Sequence, residues 1–278
     1  MSVQTYGEFQ SARYCDGYVQ EGTMSPKKLS GKVAIITGAG MGIGRSIALA
    51  FAEEEASVVL VSRHQSDIDS VANEATALGA NALAIRADVS QESEVTEMVN
   101  KTLSQFHRID VLVNNAAVSG LRGLITEIKT EDWDRMMSIN VRGMFLCSKA
   151  VVPVMIKQRE GNIINLSSGA GILTKDDSFL STRNSLPYCV SKFAVEGFTL
   201  VLAAQLNRFN INVNALRPGP SDTRAHASAP PELKAQLRKP DQVKAVALFL
   251  ATQGPAGITG ESILAASWDQ IYPNRSAG

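Results

Sequence analysis

The stretch VAIITGAGMGIGRSIALAFAEE, residues 33–54, narrows the possible folds more than any other part of the chain. VAIIT is too short for a helix, and its apolar run is that of a strand buried on both faces, which in turn demands a parallel sheet covered by helices. Gly38, Gly42 and Gly44 then allow a tight turn and a close backbone approach, while the following helix offers unpaired N–H groups and the positive end of its dipole. A glycine pattern alone is just as well a simple tight turn. Flanked by strand and helix, it reads as a dinucleotide-binding turn, with Gly40, Met41 and Ile43 completing the cradle.

The rest of the chain repeats that alternation. Further strands are read at 58–62, 83–87, 111–113, 162–166 and 211–216, with a weaker last one at 262–265. Helical patterns lie between them, with start signals at Ser90 before Glu92 and Glu94, and at Thr130 before Glu131 and Asp132. This predicts an α/β fold, a doubly wound Rossmann-type parallel sheet with helices on both faces and right-handed crossovers. Residues 1–30 read as a tail and 31–278 as a single domain, without internal repeat or linker.

Lys plus Arg and Asp plus Glu number 27 each, so no global field attracts nucleic acid or a membrane surface. No apolar run approaches the roughly 18 residues that span a bilayer. Cys15, Cys147 and Cys189 are odd in number and lack metal-ligand spacing, and no metal site is expected. The N-terminus has neither an apolar signal core nor a transit-peptide composition, so a reduced, cytoplasmic protein is expected.

The second strand ends in Ser62-Arg63-His64, where an NAD-selective site commonly carries an acid. The next acid, Asp67, comes several residues later. A guanidinium can bind a ribose 2′-phosphate through two parallel hydrogen bonds, so NADP(H) is favoured over NAD(H).

Tyr188 and Lys192 stand four apart in a helical stretch and share one face. A free tyrosine has a pKa of about 10, and lowering it by about three units takes roughly 4 kcal/mol. A lysine cation about 4 Å away in a partly screened site supplies energy of that order. Such a pair can donate and accept the proton exchanged between an alcohol and a carbonyl. Ser167 and Ser168 follow a central strand at its carboxyl end, where ligands bind in open α/β sheets. The Ser168 hydroxyl either meets a substrate oxygen or closes a turn. Asn140 falls on the apolar face of a long helix beginning near Glu131. It either satisfies nearby backbone or holds a water near the site.

TGAGMGIG, DVS at 88–90, NNAA at 114–117, Asn140, SS at 167–168, YCVSK and RPGPSDT at 217–223 follow one another in an order that resembles the short-chain dehydrogenase/reductase family, in its compact branch. The resemblance covers roughly residues 30–265. It implies a sheet ordered 3-2-1-4-5-6-7 and assembly as a homodimer or homotetramer through the helices carrying Asn140 and Tyr188. It also implies that Tyr188 is the general acid/base, that Lys192 lowers its pKa and binds the nicotinamide ribose, that Ser168 orients the substrate and that Asn140 holds a water. Asp88 and Val89 would flank the adenine, Asn115 and Ala116 the adenosine side, and Pro218, Gly219, Ser221 and Thr223 the nicotinamide half.

Four features depart from the family pattern. Ala117 replaces a usual glycine, and the interval from Ser168 to Tyr188 is longer than usual. The segment from Thr223 to Pro240 is shorter than the usual substrate lid, and the ending after the last strand lacks an acid-glycine-glycine run. Residues 172–186, with Phe179, Leu180, Asp176, Asp177 and Arg183, are either a harmless insertion or a replacement pocket wall. Ser119, Arg122 and His226 lie on nearby loops, whereas His64 and His107 read as surface residues. The expected activity is an NADP(H)-preferring oxidoreductase acting on a secondary alcohol or ketone. The alternatives are an NAD(H)-dependent alcohol or polyol dehydrogenase, a weakly catalytic nucleotide sensor, and a dehydratase or epimerase.

Overall fold

The computed structural model describes residues 27–121, 123–172, 186–221 and 237–273. Cys15, Arg122, residues 173–185, Thr223 and His226 lie outside the described residues. Among those described, seven strands form one parallel sheet: β1 Val33–Thr37, β2 Ser57–Ser62, β3 Ala82–Arg86, β4 Val111–Asn114, β5 Gly161–Leu166, β6 Ile211–Arg217 and β7 Ser262–Leu264. Their order is β3-β2-β1-β4-β5-β6-β7. Each lies within one residue at either end of the segment read from its apolar run.

Side chains alternate across the sheet and build two cores. Ala34, Ile36, Val58 and Leu60 point into one, beneath α1 (Gly42–Glu53), α2 (Gln65–Ala77) and α7 (Lys244–Ala251). Val33, Ile35, Val59 and Val61 point into the other, beneath α3 (Glu92–Phe106), α5 (Gly143–Gln158) and α6 (Leu186–Leu206). The remaining α-helices among the described residues are α4 (Thr130–Met137) and α8 (Trp268–Ile271).

Several expectations need correction. Lys27–Ser30 do not belong to a tail: Leu29 is buried in the first core, and the Lys28 N–H donates to Glu54 at 2.9 Å. Ser90 does not cap α3, which starts behind Gln91. The Ser90 hydroxyl instead donates to Asp88 at 2.7 Å, and Glu94 reaches back to the Asp88 N–H at 2.9 Å. Thr130 is the first residue of α4, behind Lys129. The long helix expected around Asn140 is three pieces, with a π-helical turn at Ser138–Arg142 joining α4 to α5. Thr130–Gln158 and Leu186–Phe209 have the length and apolar composition to cross a membrane, as core helices often do, and 50% and 39% of their most apolar windows are buried inside the protein. Asn140, Ser191, Lys192 and Thr199 interrupt their apolar runs, and all four of these polar residues are buried.

Candidate active site

At the carboxyl end of β1, Thr37 ties the first turn to the end of β4. Its hydroxyl accepts the N–H groups of Asn115 (3.0 Å) and Ala116 (3.1 Å) and donates to the Val113 carbonyl (3.1 Å). The Asn115 carboxamide donates to the carbonyls of Thr37 and Gly38 at 2.8 and 3.0 Å. Gly38 has φ +64°, and a Cβ on Gly44 would lie 2.2 Å from the Gly38 carbonyl oxygen, so both positions require glycine. The amino end of α1 has Met41 as its cap residue, no side-chain cap and no acid in its first turn. Its N–H groups and dipole are therefore left for an external anion.

A cleft of about 530 Å³ opens over this turn. Its walls bring together Gly38, Gly40, Met41, Gly42, Ile43, Gly44, Ser62, Arg63, Asp88, Val89, Asn115 and Ala116, all singled out from sequence. A glycine cradle at a bare helix start, beside a polar rim, fits the phosphates and adenosine of a dinucleotide. Arg63 is exposed at the rim. Asp67 lines the same cleft, because α2 starts at Gln65 and turns it back against the glycine turn. A Cβ on Gly40 would be 2.6 Å from that of Asp67. Its separation from Arg63 along the chain concealed this proximity. Ala117 and Ser119 also line the cleft.

The second half of the site joins the end of β5 to α6. Three consecutive residues are tied to three successive turns of one helix. Ser168 hydrogen-bonds the Tyr188 side chain, the Lys192 ammonium donates to the Leu166 carbonyl at 2.6 Å, and the Ser167 hydroxyl donates to Glu196. Ser168 and Tyr188 thus meet despite the long interval between them. Ser168 also accepts the Ala170 N–H at 3.2 Å, so the turn and the tyrosine share it.

Burial pushes the Tyr188 phenol above its usual pKa, against the pull of the Ser168 hydrogen bond. Burial brings Lys192 down to about 8, opposed by the Glu196 carboxylate. The expected depression of Tyr188 by Lys192 is therefore not what this arrangement produces. The ammonium faces the Leu166 carbonyl and lies 5.6 Å from the phenol ring centroid, so desolvation dominates.

The Asn140 carboxamide accepts the Val118 N–H (2.8 Å) and donates to the Val118 carbonyl (2.9 Å) and to Ser191 (3.1 Å). The π-helical turn presents it there. It also borders a cavity of about 10 Å³, shared with Asn114, Cys147 and Lys192, a volume of the order that one water occupies. Satisfied backbone and a water-sized space thus occur together.

Pro218, Gly219 and Ser221 follow β6 outside the walls of the cleft. The Ser221 hydroxyl donates to the Gly219 carbonyl (3.2 Å) and accepts from Gln242 (2.8 Å). Thr37, Asp67 and Glu196 are among the members of the site that sequence reasoning missed, as are Arg135 and His64, which also line the cleft. Thr37 stands directly before the glycine turn and Glu196 one further helical turn beyond Lys192, and those positions were the available signals.

Residues 32–234 match the model of the short chain dehydrogenase family. A 3-oxoacyl-(acyl-carrier-protein) reductase of Thermotoga maritima is 36% identical over 245 residues, covering 85% of this chain and 96% of that protein. The enzyme of the same name from Synechocystis is 37% identical over 242 residues, covering 84% and 95%. Among solved structures, a short-chain type dehydrogenase/reductase from Mycobacterium marinum superposes with a TM-score of 0.76 at 31% identity, covering 87% of this chain and 97% of that one. Levodione reductase superposes with a TM-score of 0.77 at 27% identity, covering 85% and 96%. Sheet order, glycine cradle and sequence agree: this chain belongs to the short-chain dehydrogenase/reductase family, and is an NAD(P)-dependent oxidoreductase acting on CH–OH or C=O groups.

Proposed function

We propose that the chain is an NADP(H)-preferring reductase of ketones, reversible toward secondary alcohols, with Tyr188 as its general acid/base. The observation that carries this is the hydrogen bond between Ser168 and Tyr188 at the carboxyl edge of the sheet, with Lys192 one turn along the same helix. A nicotinamide cofactor, when bound in the cleft, would supply or accept the hydride. This chain does the rest. The phenol, held protonated by burial, donates its proton to the carbonyl oxygen as that oxygen gains negative charge, and takes a proton back from the alcohol in the reverse direction. Ser168 orients the same oxygen. Lys192, when charged, stabilises the phenolate left behind. Asn140 positions the Val118 segment and walls the space for a relay water.

The relatives named as 3-oxoacyl-(acyl-carrier-protein) reductases make a 3-oxoacyl thioester the first carbonyl to test. Exposed apolar Ile172 and Leu186, on either side of residues 173–185, suit an acyl chain. Exposed Phe145, Phe193, Leu200 and Val201 on α5 and α6 support a homodimer or homotetramer packed on those helices. The free cysteines Cys147 and Cys189 support a cytoplasmic setting.

Asp67 favours a second reading. A carboxylate in the adenosine end of the cleft repels a 2′-phosphate and can grip a 2′-hydroxyl, which would make NAD(H) the partner. The deciding experiment is turnover of a 3-oxoacyl thioester and a panel of ketones with each cofactor, for the native protein and Tyr188→Phe. The proposal expects faster turnover with NADPH and a loss of about 10²-fold or more in the variant. Near-normal reduction by the variant would sink the acid/base assignment.

A further inference from the structure

Glu196 is not part of the chemistry proposed above, yet it is built into the same framework. It follows Lys192 by one helical turn, as Lys192 follows Tyr188, so the three share a face of α6. Its carboxylate accepts the hydroxyl of Ser167, which is buried and lies between the carbonyl that holds Lys192 and the serine that meets Tyr188. The Ser167 N–H is fixed to the Leu216 carbonyl at 2.8 Å. Packing confines the pair as well. A Cβ on Gly171 would lie 2.7 Å from the Lys192 carbonyl oxygen and 3.1 Å from the Ser167 hydroxyl, so strand end and helix already touch there.

We propose that Glu196 is a positioning residue for the Lys192–Tyr188 pair, its carboxylate held by Ser167 one turn behind the ammonium so that Lys192 keeps its proton in a buried site. The proposal rests on the acid/base reading of Tyr188 and Lys192. Among the described residues, the titratable groups around Lys192 are few. Tyr188 and Glu196 are on its own helix, Cys189 follows the tyrosine, and Cys147 borders the small cavity from α5. Burial pushes the Cys147 thiol up to about 12 and raises that of Cys189, so both are neutral near neutral pH. Thr37, Asn114 and Asn140, from β1, β4 and the π-helical turn, are uncharged. Glu196 is therefore the negative charge that opposes the desolvation of Lys192.

The sign follows. Without that carboxylate the ammonium is less favoured, its pKa falls, and Lys192 loses its proton at a lower pH. The test is the titration of Lys192 in lysine-labelled, cofactor-free protein by NMR, with the resonance assigned through Lys192→Arg. Glu196→Gln keeps an acceptor for Ser167 and removes the charge. It is expected to lower the Lys192 midpoint by roughly 0.5–1 pH unit. Glu196→Asp, which withdraws the charge by one methylene, is expected to fall between the two. The alkaline limb of the kcat–pH profile should move down in the same order, whereas a purely structural role would lower kcat equally at every pH. A Lys192 midpoint unchanged in Glu196→Gln, or in Glu196→Asp where the glutamine variant does not fold, overturns the proposal. Retained turnover in Tyr188→Phe would remove the acid/base reading but leave the titration result standing.

Discussion

Gly44→Ala tests the cradle most directly. The added methyl would lie 2.2 Å from the Gly38 carbonyl oxygen and 2.5 Å from the Asn115 carboxamide nitrogen. Ordinary contacts of this kind exceed 3 Å, so the turn must open by roughly an ångström. Opening it strains the Asn115 bonds to Thr37 and Gly38, now 2.8 and 3.0 Å, each contributing about 1 kcal/mol. Overpacking adds about 1–3 kcal/mol. A loss of about 3–5 kcal/mol lowers the melting temperature of a domain this size by roughly 6–20 °C. Gly254→Ala is the control, because nothing lies within 4 Å of its added Cβ and its φ is not positive. Differential scanning calorimetry gives the stability, and fluorescence titration with NADPH gives the affinity. The proposed cofactor fit also expects Gly44→Ala to bind at least tenfold more weakly, since the displaced turn no longer presents its N–H groups in register. If the variant melts and binds like the Gly254→Ala control, the steric argument for this turn is wrong.

Three other outcomes are expected. Arg63→Ala should cut discrimination for NADPH over NADH by roughly 10-fold or more, the value of one charge-assisted contact; unchanged discrimination would assign selectivity elsewhere. Buried Asp110 accepts the Val33 N–H at 2.9 Å and two Arg108 bonds at 2.8 and 2.5 Å, so Asp110→Ala should cost about 3–4 kcal/mol by denaturant midpoint at an unchanged m-value. Cys147, raised from 9.0 to about 12, keeps its proton in the folded state where the unfolded chain has lost it. Its contribution is complete below pH 9 and fades toward pH 12. Between pH 8 and 11 the stability of Cys147→Ala should therefore rise relative to the native protein by about 3 kcal/mol. A pH-independent difference would falsify this.

The strands were legible because a fully buried parallel sheet writes itself as short apolar runs, and VAIIT coincides with β1 residue for residue. The cradle was legible because its steric demand leaves glycine as the residue that fits. Long-range partnerships were not. Nothing local reveals that Asn140 would spend its carboxamide on Val118, or that this requires a π-helical turn between α4 and α5. Ser90 looked like a helix cap because its pairing with Asp88 competes with that role over two residues. Asp67 looked remote because sequence distance does not register a helix doubling back. The Tyr188 shift was misjudged in direction because spacing places the lysine near but says nothing of where its ammonium points.

The stitching of Leu166, Ser167 and Ser168 to α6 makes the distance between Ser168 and Tyr188 a property of strand and helix alone. The chain between Ile172 and Leu186 is then not called on for alignment, and by loop-closure entropy doubling its length costs only about 0.6 kcal/mol. The meeting of Ser168 with Tyr188 is thus insulated from changes in the length of the chain that joins them.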